Sequence, residues 1–124
     1  MLGVCKSLCH HARHRCTAVT GGDKLGAQVA ALSRPQDVVI CTPGRLLQHV
    51  QDNTVYLGDV QYLILDEADT MFDAGFGADI KKLLVPLRRH DNKQCVMVAA
   101  TMSKPVRALM TEQVLRRASL LDSQ

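Results

Sequence analysis

The chain has 124 residues and a net charge of +3, the size of one small domain or part of a larger one, with a charge that permits a polyanionic partner without demanding one. Hydrophobic residues make up 47% but aromatics only 3%, so the core must be mainly aliphatic. No apolar run approaches the roughly 20 residues of a bilayer span, which predicts a soluble chain with no membrane partner.

Leu2, Cys5, Leu8, Cys9 and Ala12 recur at helical spacing and predict a helix over residues 2–14. Lys6, Arg13 and Arg15 without any acid up to residue 22 also suit a transit peptide, but the apolar stripe favours an amphipathic helix with its basic residues in solvent. Thr17 to Val19 predict a short strand ended by Gly21-Gly22. Residues 24–32 predict a helix broken by Ser33-Arg34-Pro35, and Asp37 to Cys41 a continuous apolar strand of the kind buried on both faces of a parallel sheet. Thr42-Pro43-Gly44-Arg45 opens a helix to about Gln51, with Pro near its first turn. Gln61 to Leu65 predict a second buried strand, residues 76–87 a helix, and Gln94 to Ala99 a third buried strand. Ser103 is the expected cap of a helix to about Leu115, and Ser119 to Leu121 suit a last strand. Strand and helix alternate throughout, so the fold class is α/β, a mostly parallel sheet flanked by helices. Ligands on such sheets bind beyond the carboxyl ends of the strands, where Thr42 to Arg45, Asp66 to Asp69 and Thr101 fall.

Five cysteines, at positions 5, 9, 16, 41 and 95, are odd in number and irregular in spacing. This points to a reducing, intracellular setting, with Cys41 and Cys95 as small buried hydrophobes. His49 and His90 are expected at solvated helix ends. Arg88-Arg89 and Arg116-Arg117 suit helix C-termini, where cations favour the dipole.

Asp66-Glu67-Ala68-Asp69 carries the most chemistry. An apolar strand, Tyr62 to Leu65, delivers adjacent acids to its C-terminal tip. Phosphoryl transfer needs hard carboxylate oxygens for Mg²⁺ and a base within reach of the attacking water. Taken alone, the pair Asp66-Glu67 reads better as a strand followed by an acidic loop that caps the next helix. The tetrad is however followed by Met71-Phe72-Asp73 and Gly75-Phe76. This run closely resembles the DEAD-box family of ATP-dependent RNA helicases.

The resemblance covers nearly the whole chain and implies a partial RecA-like domain of the P-loop NTPase type, with ATP and Mg²⁺ as cofactors and RNA as partner. It makes Asp66 the Mg²⁺ ligand and Glu67 the water-handling acid, both catalytic. Gly21-Gly22 matches the family's double glycine near bound RNA. Thr42-Pro43-Gly44-Arg45 matches the motif that binds the sugar–phosphate backbone, so Gly21, Gly22, Thr42, Gly44 and Arg45 are the implied RNA-binding residues. A hydroxyl, exposed helix-start amides and an Arg cation all suit a phosphate. Ala99-Ala100-Thr101 aligns with a Ser-Ala-Thr motif that contacts the tetrad's last acid, so Asp69, Ala99 and Thr101 are the implied coupling residues. Ala99 stands where the family usually has Ser, with the loss of one hydroxyl. The wording of residues 7–13, 70–73 and 77–82 is similar to the organellar type of plants and algae, which implies plastid or mitochondrion.

No Gly-x-x-x-x-Gly-Lys-Ser/Thr phosphate loop occurs in the chain: Gly21 and Gly26 have the right separation, but Ala27 and Gln28 follow. The expected assignment is therefore residues 1–124 as the C-terminal portion of the helicase ATP-binding RecA-like domain 1, without the phosphate loop and without the second RecA-like domain. The chain alone is expected to be weakly stable, with sheet edges exposed, and inactive as an ATPase. Three alternatives compete with a helicase fragment. One is a catalytically dead or degenerate module that binds RNA backbone without ATP. A second is a zinc site among Cys5, Cys9, His10, His11, His14 and Cys16, against which Cys5 and Cys9 share an apolar face. The third is a scaffold without ligand.

Overall fold

The first helix, α1 (Leu2–Ala12), stops two residues earlier than its periodicity suggests. Arg13 takes a left-handed conformation, φ 58°, and the His14 N–H returns to the Cys9 carbonyl at 2.8 Å. This six-to-one closure satisfies a carbonyl that continued helix would otherwise have used. The computed structural model describes residues 1–87 and 93–112, which divide between two units, Met1–Leu57 and Gly58–Gln124.

In the first unit β1 (Cys16–Val19) is followed by α2 (Leu25–Leu32), β2 (Val38–Cys41) and α3 (Pro43–Gln51). The strands β1 and β2 pair in parallel, Cys16 opposite Val38 through Val19 opposite Cys41. Register is set at the strand starts, where Arg15 N–H donates to Asp37 Oδ2 at 2.8 Å and the Arg15 carbonyl accepts from Asp37 and Val38 N–H. Val19, Leu46, Leu57 and Cys9 are buried.

The second unit contains β3 (Tyr62–Leu65), α4 (Ala68–Asp73), α5 (Gly77–Leu87), β4 (Gln94–Met97) and a helix over residues 104–112. The strands β3 and β4 are again parallel, Tyr62 opposite Gln94 through Leu65 opposite Met97. Ile80, Leu83, Leu84 and Leu87 form the buried face of α5, with Val106 and Leu109 buried on the last helix. Each such side chain contributes roughly 1.5–3 kcal/mol on burial. The core is aliphatic throughout, as the scarcity of aromatics requires.

Parallel strands between helices match the α/β expectation, but the described strands form two two-stranded sheets, one in each unit. Burial of the strands on both faces does not hold. Tyr62 and Ile64 are each 65% exposed and Val96 46%, because a two-stranded pair has too few neighbours to cover both faces. Cys95 is exposed for the same reason, not a buried hydrophobe, whereas Cys41 is half-buried and its thiol pKa is pushed up to about 11 by that burial. Leu8 is 65% exposed, so the apolar stripe of α1 is only partly used. The short helix α4 was not expected from the sequence. No helix among the described residues is long and apolar enough to cross a membrane. Arg88, Arg89, His90, Arg116, Arg117 and the strand expected at residues 119–121 lie outside the described residues.

Candidate functional site

The strand β3 ends at Leu65, and the next two acids emerge at its carboxyl tip. Asp66 and Glu67 are both exposed. The Glu67 N–H donates to Asp66 Oδ1 at 2.9 Å, and Asp66 Oδ2 has no partner among the described residues. Glu67 lies in the left-handed region, φ 51°, a conformation that costs a residue with a side chain roughly 1–2 kcal/mol. Such strain concentrates at working sites. It turns the chain at once into α4, and the Ala68 N–H is tied to the Val98 carbonyl at 2.9 Å. The carboxyl ends of β3 and β4 are thereby held side by side.

That junction brings Asp69 and Thr101 together across 32 residues of sequence. Asp69 is buried, and its Oδ2 accepts from Thr101 Oγ1 at 2.9 Å and from the Thr101 N–H at 3.0 Å. The Thr101 hydroxyl first, and then its amide, hold the carboxyl below the usual range, outweighing the upward push of burial. Ala99 has no polar side-chain atom to add to this contact, so Thr101 carries it. Ser103 stands at the start of the last helix as anticipated, but its hydroxyl does not cap. It is buried without a hydrogen-bond partner among the described residues, and the first helical bond is from Arg107 N–H to the Ser103 carbonyl.

The first unit gathers the other named residues. Thr42 precedes α3, Pro43 occupies its first turn, and the Thr42 N–H donates to the Val19 carbonyl at 3.1 Å. The Thr42 side chain makes no cap bond. Arg45 reaches back 24 residues: Nη2 donates to the Gly21 carbonyl at 3.0 Å, and Nη1 to the Asp23 carbonyl at 3.1 Å and to Gln28 Oε1 at 3.2 Å. Thr42, Gly44 and Arg45 are thus joined to the double-glycine turn through one guanidinium.

Two residues in this cluster escaped the sequence reading. Gln28 is 3% exposed in the otherwise apolar α2, and a polar residue at that position of Leu25–Leu32 was the available signal. His49 is not a solvated helix-end residue: it is fully buried, and its Nε2 lies 2.8 Å from Gln28 Oε1. Its place in the helix sequence carried no hint, because the buried face of α3 is defined by what packs on it.

The residues at β3 suit a Mg²⁺ ion in chemistry, since Asp66 offers hard oxygen with one atom open. Among the described residues no group of three or more His, Cys, Asp or Glu gathers around any point, so phosphate oxygens and water would complete such an ion's shell. The same holds for the N-terminal Cys and His residues, which form no such group. There the Cys9 thiol is pushed up by burial and by its neighbour Cys16.

Comparison with known proteins converges on one family. The DEAD/DEAH box helicase family profile matches residues 1–109. DEAD-box ATP-dependent RNA helicase 39 of Arabidopsis thaliana is 46% identical over 116 residues, 89% of this chain and 19% of that protein. ATP-dependent RNA helicase DBP2 of Saccharomyces cerevisiae is 39% identical over 108 residues, 87% of this chain and 19% of that protein. The chain therefore spans about a fifth of the length of the curated relatives it matches. Among solved structures, a hypothetical ATP-dependent RNA helicase from Sulfolobus tokodaii superposes with a TM-score of 0.78 at 28% identity, over 90% of this chain and 33% of that one. The yeast DEAD-box splicing factor Prp28 gives 0.74 at 28% identity, over 79% and 22%. The chain, an α/β RecA-like fold bearing Asp66-Glu67-Ala68-Asp69, belongs to the DEAD/DEAH box helicase family.

Proposed function

We propose that residues 1–124 are the C-terminal portion of the first RecA-like, ATP-binding domain of an ATP-dependent RNA helicase, a protein that couples ATP hydrolysis to RNA binding and duplex unwinding. The observation that supports this most is the double hydrogen bond from Thr101 to Asp69. It joins two motifs far apart in sequence, at the tips of adjacent strands, where ligands of parallel sheets bind.

In this reading Asp66 is the protein's ligand for Mg²⁺, and Glu67 orients or deprotonates the attacking water. Mg²⁺, when bound with ATP, neutralises charge on the phosphates. Asp69 and Thr101, with Ala99 beside them, link the acid tip to the β4 exit. The Gly21, Gly22, Thr42, Gly44 and Arg45 group holds the sugar–phosphate backbone, and a second RecA-like domain completes both sites. The 124 residues hold no phosphate loop, so the chain by itself is expected to turn over no ATP. ATP turnover by this chain that disappears in Glu67→Gln would contradict that expectation.

The nucleic-acid part is tested by fluorescence anisotropy with labelled uridine and mixed-sequence decamers. Equal affinity for both, falling with salt, is expected of backbone recognition. Failure to bind either decamer at low salt overturns it. Ala99, in place of the family's usual Ser, favours one second reading, a module that binds RNA backbone without ATP. The two readings separate in the full-length protein, where RNA binding unaffected by ATP and Mg²⁺ would select the second.

A further inference from the structure

We infer that Gln28 is a positioning residue: with Arg45 it clamps the carbonyls of the double-glycine turn, so that the turn's amides face an incoming phosphodiester and Arg45 acts on nucleic acid through the turn. This rests on the RNA-binding reading above and assigns its parts.

Two side chains hold three carbonyls of one short turn. Gln28 Nε2 donates to the Thr20 carbonyl at 2.7 Å. Arg45 donates to the carbonyls of Gly21 and Asp23 at 3.0 and 3.1 Å. Gln28 Oε1 then accepts from Arg45 Nη1 and pairs with His49 Nε2, so the fully buried imidazole braces the amide from behind. Both polar atoms of the Gln28 amide are used. Thr20 Oγ1 closes the turn itself by donating to Asp23 Oδ2 at 2.7 Å.

Peptide geometry carries the consequence. All peptides here are trans, and a trans peptide points its N–H opposite to its carbonyl. Carbonyls of Thr20, Gly21 and Asp23 drawn toward the clamp therefore turn the N–H groups of Gly21, Gly22 and Lys24 the other way. None of those three N–H groups has a partner among the described residues, and all three residues are exposed. The Asp23 N–H between them stays inside the turn, on the Thr20 carbonyl at 3.3 Å. Adjacent outward amides, here those of Gly21 and Gly22, are a general anion-binding arrangement. The glycines fit this role. Neither Gly21 nor Gly22 has a positive φ, and a Cβ at either would meet nothing within 4 Å. Fold alone thus makes no demand for glycine here, whereas close approach of a ligand to the backbone does. Arg45, by contrast, spends its guanidinium on the protein's own carbonyls.

The test uses the 124-residue chain, Gln28→Met and Arg45→Lys. Met is similar in size to Gln but cannot bond, and Lys keeps the charge but cannot span three acceptors from a fork. Backbone ¹⁵N order parameters of Gly21, Gly22 and Asp23 are expected to fall from about 0.85 to below about 0.6 in both variants. Affinity for a labelled uridine decamer is expected to drop about tenfold, the loss of one hydrogen bond to a charged group. The salt slope in Gln28→Met is expected to stay unchanged, since no phosphate-contacting charge is lost. If Gln28→Met does not fold, Arg45→Lys, at a half-buried position, carries the test. Order parameters unchanged in the folded variants overturn the clamp. Arg45→Lys that binds like the parent chain shows Arg45 as a simple phosphate cation and also overturns it. A parent chain that leaves the decamer unbound removes the RNA reading, while the order parameters still decide the clamp.

Discussion

Replacing Gln28 by Met removes three hydrogen bonds from one side chain at nearly constant volume, and the structure allows the cost to be apportioned. His49 is fully buried, so its Nε2, now without a partner, bears a full desolvation penalty of about 1–3 kcal/mol. The Thr20 carbonyl and the Arg45 guanidinium are only half-buried and can turn to water, which limits their share to about 0.5–1 kcal/mol each. The total is about 2–5 kcal/mol. With a urea slope of about 2 kcal/mol per molar, the unfolding midpoint of the first unit falls by about 1–2.5 M. The assay is urea denaturation monitored through the amide signals of β1 and β2, which reports this unit separately from the second. A midpoint within about 0.25 M of the parent chain refutes the reasoning, because it would mean that the amide is solvated in solution and the hub is not formed.

Three further outcomes are expected from other parts of the molecule. Asp69 titrates below its usual range in the folded chain, so its contribution to stability is present above the unfolded value of about 3.9 and is lost as pH falls through the lower folded value. Thr101→Val removes the main cause, and acid titration of the unfolding midpoint should show a shallower loss below about pH 4 than in the parent; an identical acid limb counts against the contact. Ser103→Ala, which at a working helix cap costs about 1 kcal/mol, should here change stability by less than about 0.5 kcal/mol or raise it, as thermal unfolding will show, because the buried hydroxyl has no partner to lose among the described residues. Cys41, with its thiol pushed up to about 11, should react with iodoacetamide at about pH 8 roughly a hundredfold more slowly than an ordinary free thiol, read by mass spectrometry of the alkylated peptides.

The family was legible without coordinates, since Asp66-Glu67-Ala68-Asp69 with Gly75-Phe76 beyond it, and Thr42-Pro43-Gly44-Arg45 before it, are local strings whose order alone is specific. The alternation of strands and helices was legible for a similar reason: apolar runs and Gly or Pro breaks act over a few residues. Helix ends were less so, because the left-handed Arg13 and the six-to-one bond at His14 depend on the path the chain takes from α1 into β1. Burial was misjudged wherever it depended on partners. Tyr62 and Ile64 have strand-core chemistry, yet each lies on a face that β4 alone does not cover.

By itself the sequence determined the chemistry available: two acids at a strand tip, a double glycine, a helix opened by Thr-Pro-Gly-Arg, and no phosphate loop. Only the tertiary structure decided how these groups are used. Asp69 meets Thr101 because β3 and β4 run parallel and end together. Arg45 meets Gly21 and Asp23, with Gln28 and His49 behind it, because parallel β1 and β2 bring the turn after one strand beside the helix that succeeds the other. Contacts across roughly 20 to 30 residues depend on which strands pair and in what register, and that is decided only when the two strands meet and pattern and flanking contacts act together.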